Sequence, residues 1–416
     1  MKRISLIFLI MVLLISCQTP LNEVSDDEVR PMIEAMLRQE PGVLAKYGSQ
    51  ALGEVTTFEQ AESQIYQLIN TFKIETVGST EKHDGMMVTE VTAQPADMIF
   101  TVALDEKNRI TGVFIKTDAK PQTSEVFYEK AISIGSDAIA GLITYPKNQT
   151  NPPVVILISG SGPQDRNSMI GPNVPFQDLA HGLAAKGIAT IRYDDRYYHD
   201  ASLYQEVTIE EEMLDDVSGA IELARTLDID PDNIFLIGHS LGGMMIPKLL
   251  SDHPEVAGGI AMAGSPRPLQ EIMRDQQLAQ MESQGASDKQ MEQLNQQMDS
   301  VNQIIQEIDT PKGADILGVP DRYWLSLREA AAPNHTRFTQ PALILQGGKD
   351  FQVSAEVDYP AWQELFQDRS DVSFQLFDNL NHLFMPSLTG DATEYMTPQT
   401  VAPEVIDAIS SWIEQQ

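Results

Sequence analysis

The chain has 416 residues and is strongly acidic, with 60 Asp and Glu residues against 28 Lys and Arg residues and a formal net charge of −32. This charge argues against nucleic acid and anionic membrane surfaces as partners. The single cysteine, Cys17, excludes disulfides and a cysteine nucleophile in the mature chain. The seven histidines form no cluster with metal-ligand spacing, and the sequence has no phosphate-binding glycine loop, so no metal or cofactor is expected.

Residues 1–17 have the pattern of a bacterial lipoprotein signal peptide. Lys2 and Arg3 precede an apolar run, Ile4 to Ile15, that is too short to span a bilayer. The run leads into Leu-Ile-Ser-Cys, which resembles a lipobox, so Cys17 is predicted to carry the lipid anchor. Gln18 is not the aspartate that retains many lipoproteins at an inner membrane, which favours the outer membrane, facing the periplasm. The alternative is a cleaved, soluble secretory protein in which Cys17 is incidental.

Residues 18–122 are predicted to form a small α+β accessory domain. Two amphipathic stretches, Glu28 to Tyr47 and Thr57 to Phe72, predict helices. Four strand-like stretches follow, which predict an antiparallel sheet: residues 74–77, 86–93, 98–104 and 110–116. This part of the chain carries no chemical motif, and its predicted role is spacing, docking or covering a site.

Residues 123–416 alternate between buried strands and helices, which predicts a mostly parallel sheet with helices on both faces. The functional site is then expected at the carboxyl ends of the strands. The predicted strands are residues 154–158, 187–192, 234–237, 258–263, 341–346 and 372–377. The predicted helices include residues 176–186, 209–227 and 405–412.

Ser240 lies in Gly-His-Ser-Leu-Gly, residues 238–242, between the strand Ile234–Ile237 and an apolar helix. A G-x-S-x-G sequence on a strand-to-helix turn is a nucleophile elbow, which exposes the serine hydroxyl. The helix that follows places its positive end near a developing negative charge. Because the pentapeptide also arises by chance, its surroundings must support the assignment.

Residues 266–338 are too long for a simple crossover and are predicted to form a helical cap. Ser287 and Gln290 have the spacing of a capping box, and apolar residues then recur every three or four positions as far as Ile308. The stripe is predicted to pack against the body of the domain or the segment 269–281; a dimerisation interface is the alternative. Tyr323 and Trp324 are candidate substrate-binding residues, with core packing as the other interpretation.

An elbow serine needs a general base and an orienting acid, and the downstream sequence offers one of each in the expected order. Asp350 follows the predicted strand that ends at Gln346, in the sequence Gly-Gly-Lys-Asp. His382 is the only histidine beyond Asp350 and follows the predicted strand 372–377. Ser240, Asp350 and His382 are therefore predicted to form a catalytic triad.

An oxyanion hole requires two backbone N–H groups near the nucleophile. The loop Ser159–Pro163 follows the predicted strand Val154–Ile158 and is placed to turn one N–H towards Ser240. The predicted donors are the backbone N–H groups of Ser161 and of Leu241, the residue after the nucleophile.

The elbow, the Gly-Gly-Lys-Asp loop and the segment Ser159–Asn167 together resemble the α/β-hydrolase superfamily, over residues 124–416. More narrowly they resemble bacterial esterase-like members with a Gly-Ser-Gly-Pro-x-Asp-Arg oxyanion loop. In this pattern Asp165 and Arg166 are expected to take part in a loop-fixing ion pair, with contact to the substrate as the alternative. Tyr193–Tyr198 departs from the family's usual Asp-x-Arg-Gly-x-Gly, which weakens any inference about substrate.

The resemblance implies a serine hydrolase that cleaves a small-molecule carboxylic ester through an acyl-enzyme on Ser240. A serine peptidase or acyl-peptide hydrolase would use the same groups and is the enzymatic alternative. A non-catalytic binding lipoprotein with a hydrolase fold is the alternative outside enzymes, although the intact triad counts against it. The sequence does not specify the natural ester or the oligomeric state.

Overall fold

The computed structural model describes residues 26–55, 57–83, 86–94, 96–199, 207–283 and 285–416. The predicted signal peptide and Cys17 lie outside the described residues. The chain divides into two compact units, Met1–Lys120 and Pro121–Gln416; the boundary predicted from the sequence lies after residue 122. Within the described ranges, no helix combines the length and the apolar character needed to cross a membrane.

The described residues of the first unit form four helices followed by four strands. The helices are α1 (Asp26–Leu37), α2 (Val43–Tyr47), α3 (Gln50–Val55) and α4 (Phe58–Ile69). The strands are β1 (Lys73–His83), β2 (Met86–Gln94), β3 (Asp97–Leu104) and β4 (Ile110–Asp118). They form an antiparallel meander in chain order, as the sequence predicts.

The prediction of one helix over residues 28–47 is wrong. The chain leaves the helical conformation after Leu37, and Gln39 and Gly42 have positive φ angles of 57° and 80°. Pro41 lacks an N–H and disfavours the helical conformation of the residue before it. By contrast, α4 begins directly after Thr57, where the predicted helix starts. Thr57 and Gln60 form a reciprocal capping box there.

The second unit is built on an eight-stranded sheet that is mostly parallel, which confirms the predicted architecture. Its order is β14-β13-β10-β9-β7-β8-β6-β5, and only the pairs β5–β6 and β6–β8 are antiparallel. The strands are β5 (Phe127–Ile134), β6 (Ile139–Pro146), β7 (Val154–Ile158), β8 (Ala189–Tyr193), β9 (Ile234–His239), β10 (Gly258–Met262), β13 (Ala342–Gly347) and β14 (Val372–Phe377). A separate two-stranded pair is β11 (Asp315–Ile316) and β12 (Val319–Pro320).

Helices cover both faces of this sheet. Successive residues of β7 point to opposite faces: Ile156 belongs to one apolar cluster, and Val155 and Leu157 belong to another. The helices are α5 (Pro175–Ala185), α6 (Arg196–His199), α7 (Asp215–Ala224), α8 (Leu241–Asp252), α9 (Leu269–Ser283), α10 (Asp288–Gln306), α11 (Asp321–Ala330), α12 (Asp358–Leu365) and α13 (Pro403–Ile413).

The predicted helix over 209–227 is not a uniform α-helix. It begins with a π-helical turn, Glu210–Leu214, and continues as α7. A π turn holds one more residue than an α turn, so it changes which side chains face the interior. Glu212 is buried as a result, whereas its neighbour Glu211 is exposed.

The predicted cap contains a helical hairpin, α9 and α10, whose two helices pack against each other. Ser287 and Gln290 form the predicted capping box at the start of α10. At the other end of α10 the apolar stripe reaches the domain core, where Ile305 and Ile308 are buried. The stripe is therefore used within the chain, in agreement with the packing interpretation.

A buried polar network ties the antiparallel edge of the sheet to α5. The Glu129 carboxylate on β5 lies 2.9 Å from Arg192 Nη1 and 3.0 Å from His181 Nε2. It also accepts a hydrogen bond from Thr144 Oγ1 at 3.0 Å. Burial raises the pKa of Glu129, but hydrogen bonding from His181 and the charge of Arg192 outweigh burial and lower the pKa to about 2.

We expect Glu129→Gln to lower the free energy of unfolding by about 3 kcal/mol at pH 7, because it removes the carboxylate that pairs with the buried Arg192. The carboxylate stabilises the fold above its ordinary pKa of 4.5, and this contribution is lost as the pH falls towards 2. The difference between the two proteins should therefore shrink below pH 4.5. Urea unfolding at pH 7 and pH 3 measures it, with Glu125→Gln at an exposed site as the control. An equal difference at both pH values would contradict the assignment.

Candidate active site

Ser240 sits in a strained turn between β9 and α8. Its φ of 56° and ψ of −116° are outside the regions that a non-glycine residue normally adopts. A Cβ at Gly238 would collide with the backbone of Gly242, and one at Gly242 would lie 2.6 Å from the carbonyl oxygens of Ile158 and Ser159. Both motif glycines are therefore required by close packing of the backbone, as expected for a nucleophile elbow.

The predicted acid and base form a buried pair. Asp350 Oδ2 lies 2.8 Å from His382 Nδ1, and the exposed fractions of the two residues are 8% and 2%. Asp350 Oδ1 also accepts hydrogen bonds from the backbone N–H groups of Gln352 and Val353, at 2.8 and 2.9 Å. The Gln346 side chain donates to Asp350 Oδ2 at 3.0 Å. These bonds fix the carboxylate so that it can hold the imidazole in one orientation.

Two glycines let the loops that carry these residues pack together. A Cβ at Gly347 would lie 2.6 Å or less from the carbonyl oxygens of Leu380 and Asn381. A Cβ at Gly348 would lie 2.7 Å from the carbonyl oxygen of Asp378. The Gly-Gly of the acid loop thus brings the Asp350 and His382 loops into contact, which the sequence pattern alone does not reveal.

His239, at the variable position of the elbow motif, was not predicted as a site residue. Its Nε2 donates a hydrogen bond to the backbone oxygen of His382 at 2.8 Å, and the centroids of the two rings are 4.7 Å apart. Burial, with a smaller contribution from His382, lowers the pKa of His239 to about 3. His239 is therefore neutral at physiological pH and links the nucleophile strand to the histidine loop.

Ser240 is half-buried and directly follows His239, the residue whose ring lies against that of His382. Among the residues described, no hydrogen bond joins Ser240 Oγ to His382. Serine–histidine bonds of this kind often tighten only in the complex with substrate.

The predicted oxyanion loop packs directly against Ser240. A Cβ at Gly160 would lie 3.1 Å from Ser240 Cβ, so the loop backbone passes immediately over the serine. Gly162 has a φ of 79°, which favours glycine, and its N–H donates to Glu212 Oε1 at 3.3 Å. Ser161 lies between these two glycines, and Leu241 is the first residue of α8, where backbone N–H groups have no partner within the helix.

The end of the loop is fixed by an ion pair between Arg166 and Asp194. Asp194 accepts bonds from the Arg166 backbone N–H and from two nitrogens of its guanidinium, at 2.8 to 2.9 Å. Both residues are buried. Asp165 accepts from the backbone N–H groups of Asn167 and Met169. The loop-fixing ion pair was predicted, but its acidic partner Asp194 comes from the segment that departs from the family pattern.

Tyr323 and Trp324, the predicted substrate-binding residues, lie on α11 and are 4% and 1% exposed. Trp324 Nε1 donates to the backbone oxygen of Ile316 at 2.9 Å, so its polar atom is used within the core. The Tyr323 hydroxyl is hydrogen-bonded to the Glu212 side chain. Contact of either residue with substrate stays a prediction.

Comparison with known proteins identifies the family to which the chain belongs. The family model described as serine aminopeptidase, S33, matches residues 174–386, just over half of the chain. Esterase EstD of Thermotoga maritima is 34% identical over 322 residues, which cover 75% of each chain.

Solved structures of esterases are more distant. The Pyrococcus furiosus esterase Pf2001 is 14% identical, with a TM-score of 0.40, over 70% of this chain and 92% of its own. Est1E of Butyrivibrio proteoclasticus, solved with ferulic acid bound, is 15% identical, with a TM-score of 0.43, over 72% of this chain and 99% of its own.

Because its pKa is about 3, the His239 ring should not titrate between pH 4.5 and pH 8 in the folded protein. The ring resonances can be followed by NMR over this range and assigned by their loss in His239→Gln. The same ring in the urea-unfolded chain is the control and should titrate near pH 6.5. A midpoint between pH 5 and pH 7 in the folded protein would show that the ring is solvated or charged, contrary to the geometry.

Proposed function

We propose that this chain, which belongs to the serine aminopeptidase S33 family of α/β hydrolases, hydrolyses carboxylic esters through an acyl-enzyme on Ser240. Membership of the family confirms the superfamily resemblance read from the motifs. The observation that carries the proposal is the buried Asp350–His382 pair, 2.8 Å apart, beside a serine in a strained elbow. The relationship to an esterase supports esters as the substrate class.

In the proposed mechanism Ser240 Oγ attacks the ester carbonyl carbon while His382 accepts the hydroxyl proton. Asp350 holds the imidazole through its Nδ1–H and stabilises the positive charge that develops. The N–H groups of Ser161 and Leu241 donate to the oxyanion. His382 then gives its proton to the departing alcohol, leaving an acyl group on Ser240. A water molecule, deprotonated by His382, then attacks the acyl carbon. The bond from the acyl carbon to Ser240 Oγ breaks, His382 returns the proton to Oγ, and the carboxylic acid leaves.

The peptidase alternative draws on the description of the matching family. The same groups would form an acyl-enzyme from an amide, with an amine in place of the alcohol as leaving group. Esters remain the first choice because the esterase relationship extends over three quarters of both chains. The non-catalytic alternative is less favoured, because the proposed nucleophile, acid and base, Ser240, Asp350 and His382, follow the carboxyl ends of three strands of one sheet, β9, β13 and β14.

A fluorophosphonate probe should label the soluble part of the chain, starting after Cys17, and labelling should be lost in Ser240→Ala. Ser161→Ala should still be labelled, because the donor assigned to Ser161 is its backbone N–H. A series of p-nitrophenyl esters of increasing acyl length should show turnover with a maximum at one length. Alanyl and leucyl p-nitroanilides are run in parallel. Faster turnover of the anilides would favour the peptidase, and labelling that persists in Ser240→Ala would rule out Ser240 as the nucleophile.

We also propose that the chain is a lipoprotein anchored through Cys17 in the outer membrane of a bacterial envelope, facing the periplasm. The lipobox-like sequence and Gln18 support this assignment. Expressed in full length in a Gram-negative bacterium, the chain should incorporate radiolabelled palmitate and fractionate with the outer membrane. Cys17→Ser should abolish incorporation, and Ser16→Ala is the control. Equal labelling of Cys17→Ser and the wild type, or no labelling of either, would contradict lipidation at Cys17.

A further inference from the structure

We infer that Glu212 is a positioning residue for the oxyanion loop and connects that loop to helix α11 of the cap. The inference rests on the proposed function, because it concerns the donor assigned to the oxyanion hole. Glu212 holds Gly162 on one side and Tyr323 on the other. Neither the motifs nor the family resemblance assigns it a role.

The bond from Gly162 N–H to Glu212 Oε1, 3.3 Å long, fixes the peptide that follows Ser161. Gly162 has a positive φ, so this peptide is held in a conformation that most residues avoid. On the other side of Ser161, Gly160 is packed against Ser240. The predicted donor therefore lies between one residue held by the nucleophile and one residue held by Glu212.

Burial of the Glu212 carboxyl group at this position is energetically unfavourable. The exposed fraction of Glu212 is 3%, burial raises its pKa, and its Oε2 has no hydrogen-bond partner among the residues that the structure describes. An apolar side chain would avoid the cost of burying these oxygens. The π turn that directs Glu212 inward is a feature often found at functional sites.

The cap contacts the same turn at a second point. Ser326 Oγ on α11 accepts a hydrogen bond from the N–H of Ile209, the residue that precedes the π turn, at 2.9 Å. Tyr323, one helical turn before Ser326, reaches Glu212 itself. Helix α11 thus holds both the turn and the carboxyl group that supports the oxyanion loop.

A positioning role for Glu212 and a purely structural role predict different effects of its replacement on the kinetic constants. Donors of an oxyanion hole act in the transition state, so loss of their alignment lowers kcat and kcat/KM together and leaves KM unchanged. A role in general packing would instead lower the melting temperature and leave the kinetic constants of the folded protein intact. Removal of a whole donor costs about 100- to 1,000-fold in kcat. Misalignment should cost less, about 10- to 100-fold.

The test compares Glu212→Leu, which lacks an acceptor, with Glu212→Gln, which keeps one. With the p-nitrophenyl ester that the wild type turns over fastest, Glu212→Leu should lower kcat about 10- to 100-fold with KM within about twofold. Glu212→Gln should restore most of this loss, because its amide oxygen can accept the Gly162 bond. Glu211→Gln, an exposed neighbour on the same turn, is the matched control for loss of charge. Melting temperatures establish that each variant is folded.

Tyr323→Phe removes only the hydroxyl bonded to Glu212 and should lower kcat about threefold or more at unchanged KM. The Tyr323→Phe variant tests the positioning role of Glu212 if Glu212→Leu does not fold. Wild-type kcat in folded Glu212→Leu, or a change confined to KM, would overturn the inference. Absence of turnover by the wild type would instead refute the proposed function, so the two failures are distinguishable.

Discussion

The strained backbone of Ser240 is the constraint on which the second unit depends. A left-handed φ at a non-glycine residue costs about 1–3 kcal/mol and persists only where the surroundings enforce it. Here the Ser240 N–H donates to the Met262 oxygen on β10 at 2.9 Å, and Gly238 and Gly242 allow the backbone to fold tightly around the turn. Three neighbouring parallel strands, β7, β9 and β10, therefore meet at one serine. The sheet therefore fixes the position of Ser240, the proposed nucleophile.

Three loops lie near Ser240: the acid loop, the histidine loop and the predicted oxyanion loop. Each is held by contacts that its sequence motif does not predict. The acid and histidine loops pack through Gly347 and Gly348. The His382 backbone is bonded to His239, which precedes the nucleophile. The oxyanion loop is held by Asp194 at one end and by Glu212 near its middle. A neutral imidazole, a buried ion pair and a buried carboxyl group thus support a site whose reacting groups come from other residues.

The sequence predicts the positions of Ser240, Asp350 and His382 because each follows a strand-like block, and those blocks are the strands β9, β13 and β14 of the sheet. It failed in three places, two of them for local reasons and one because of a distant residue. The break after Leu37 follows from Pro41 and Gly42, which periodicity alone does not register. The π turn is invisible because the hydrophobic pattern of 209–227 also fits an α-helix. The partner of Arg166 could not be read because Asp194 lies 28 positions away, on another strand end.

Polar contacts join the first and last parts of the cap to different segments of the domain. Ser265 and Arg267, where the cap begins, both donate hydrogen bonds to the buried carboxylate of Asp358. On α9, Gln276 donates a hydrogen bond to the backbone oxygen of Gln352, beside the acid loop. Helix α11, at the end of the cap, holds the π turn and Glu212. The two ends of the cap therefore contact the acid loop and the support of the oxyanion loop. A rearrangement of α11 would therefore be expected to change the Tyr323–Glu212 interaction and, with it, the support of the loop Ser159–Pro163.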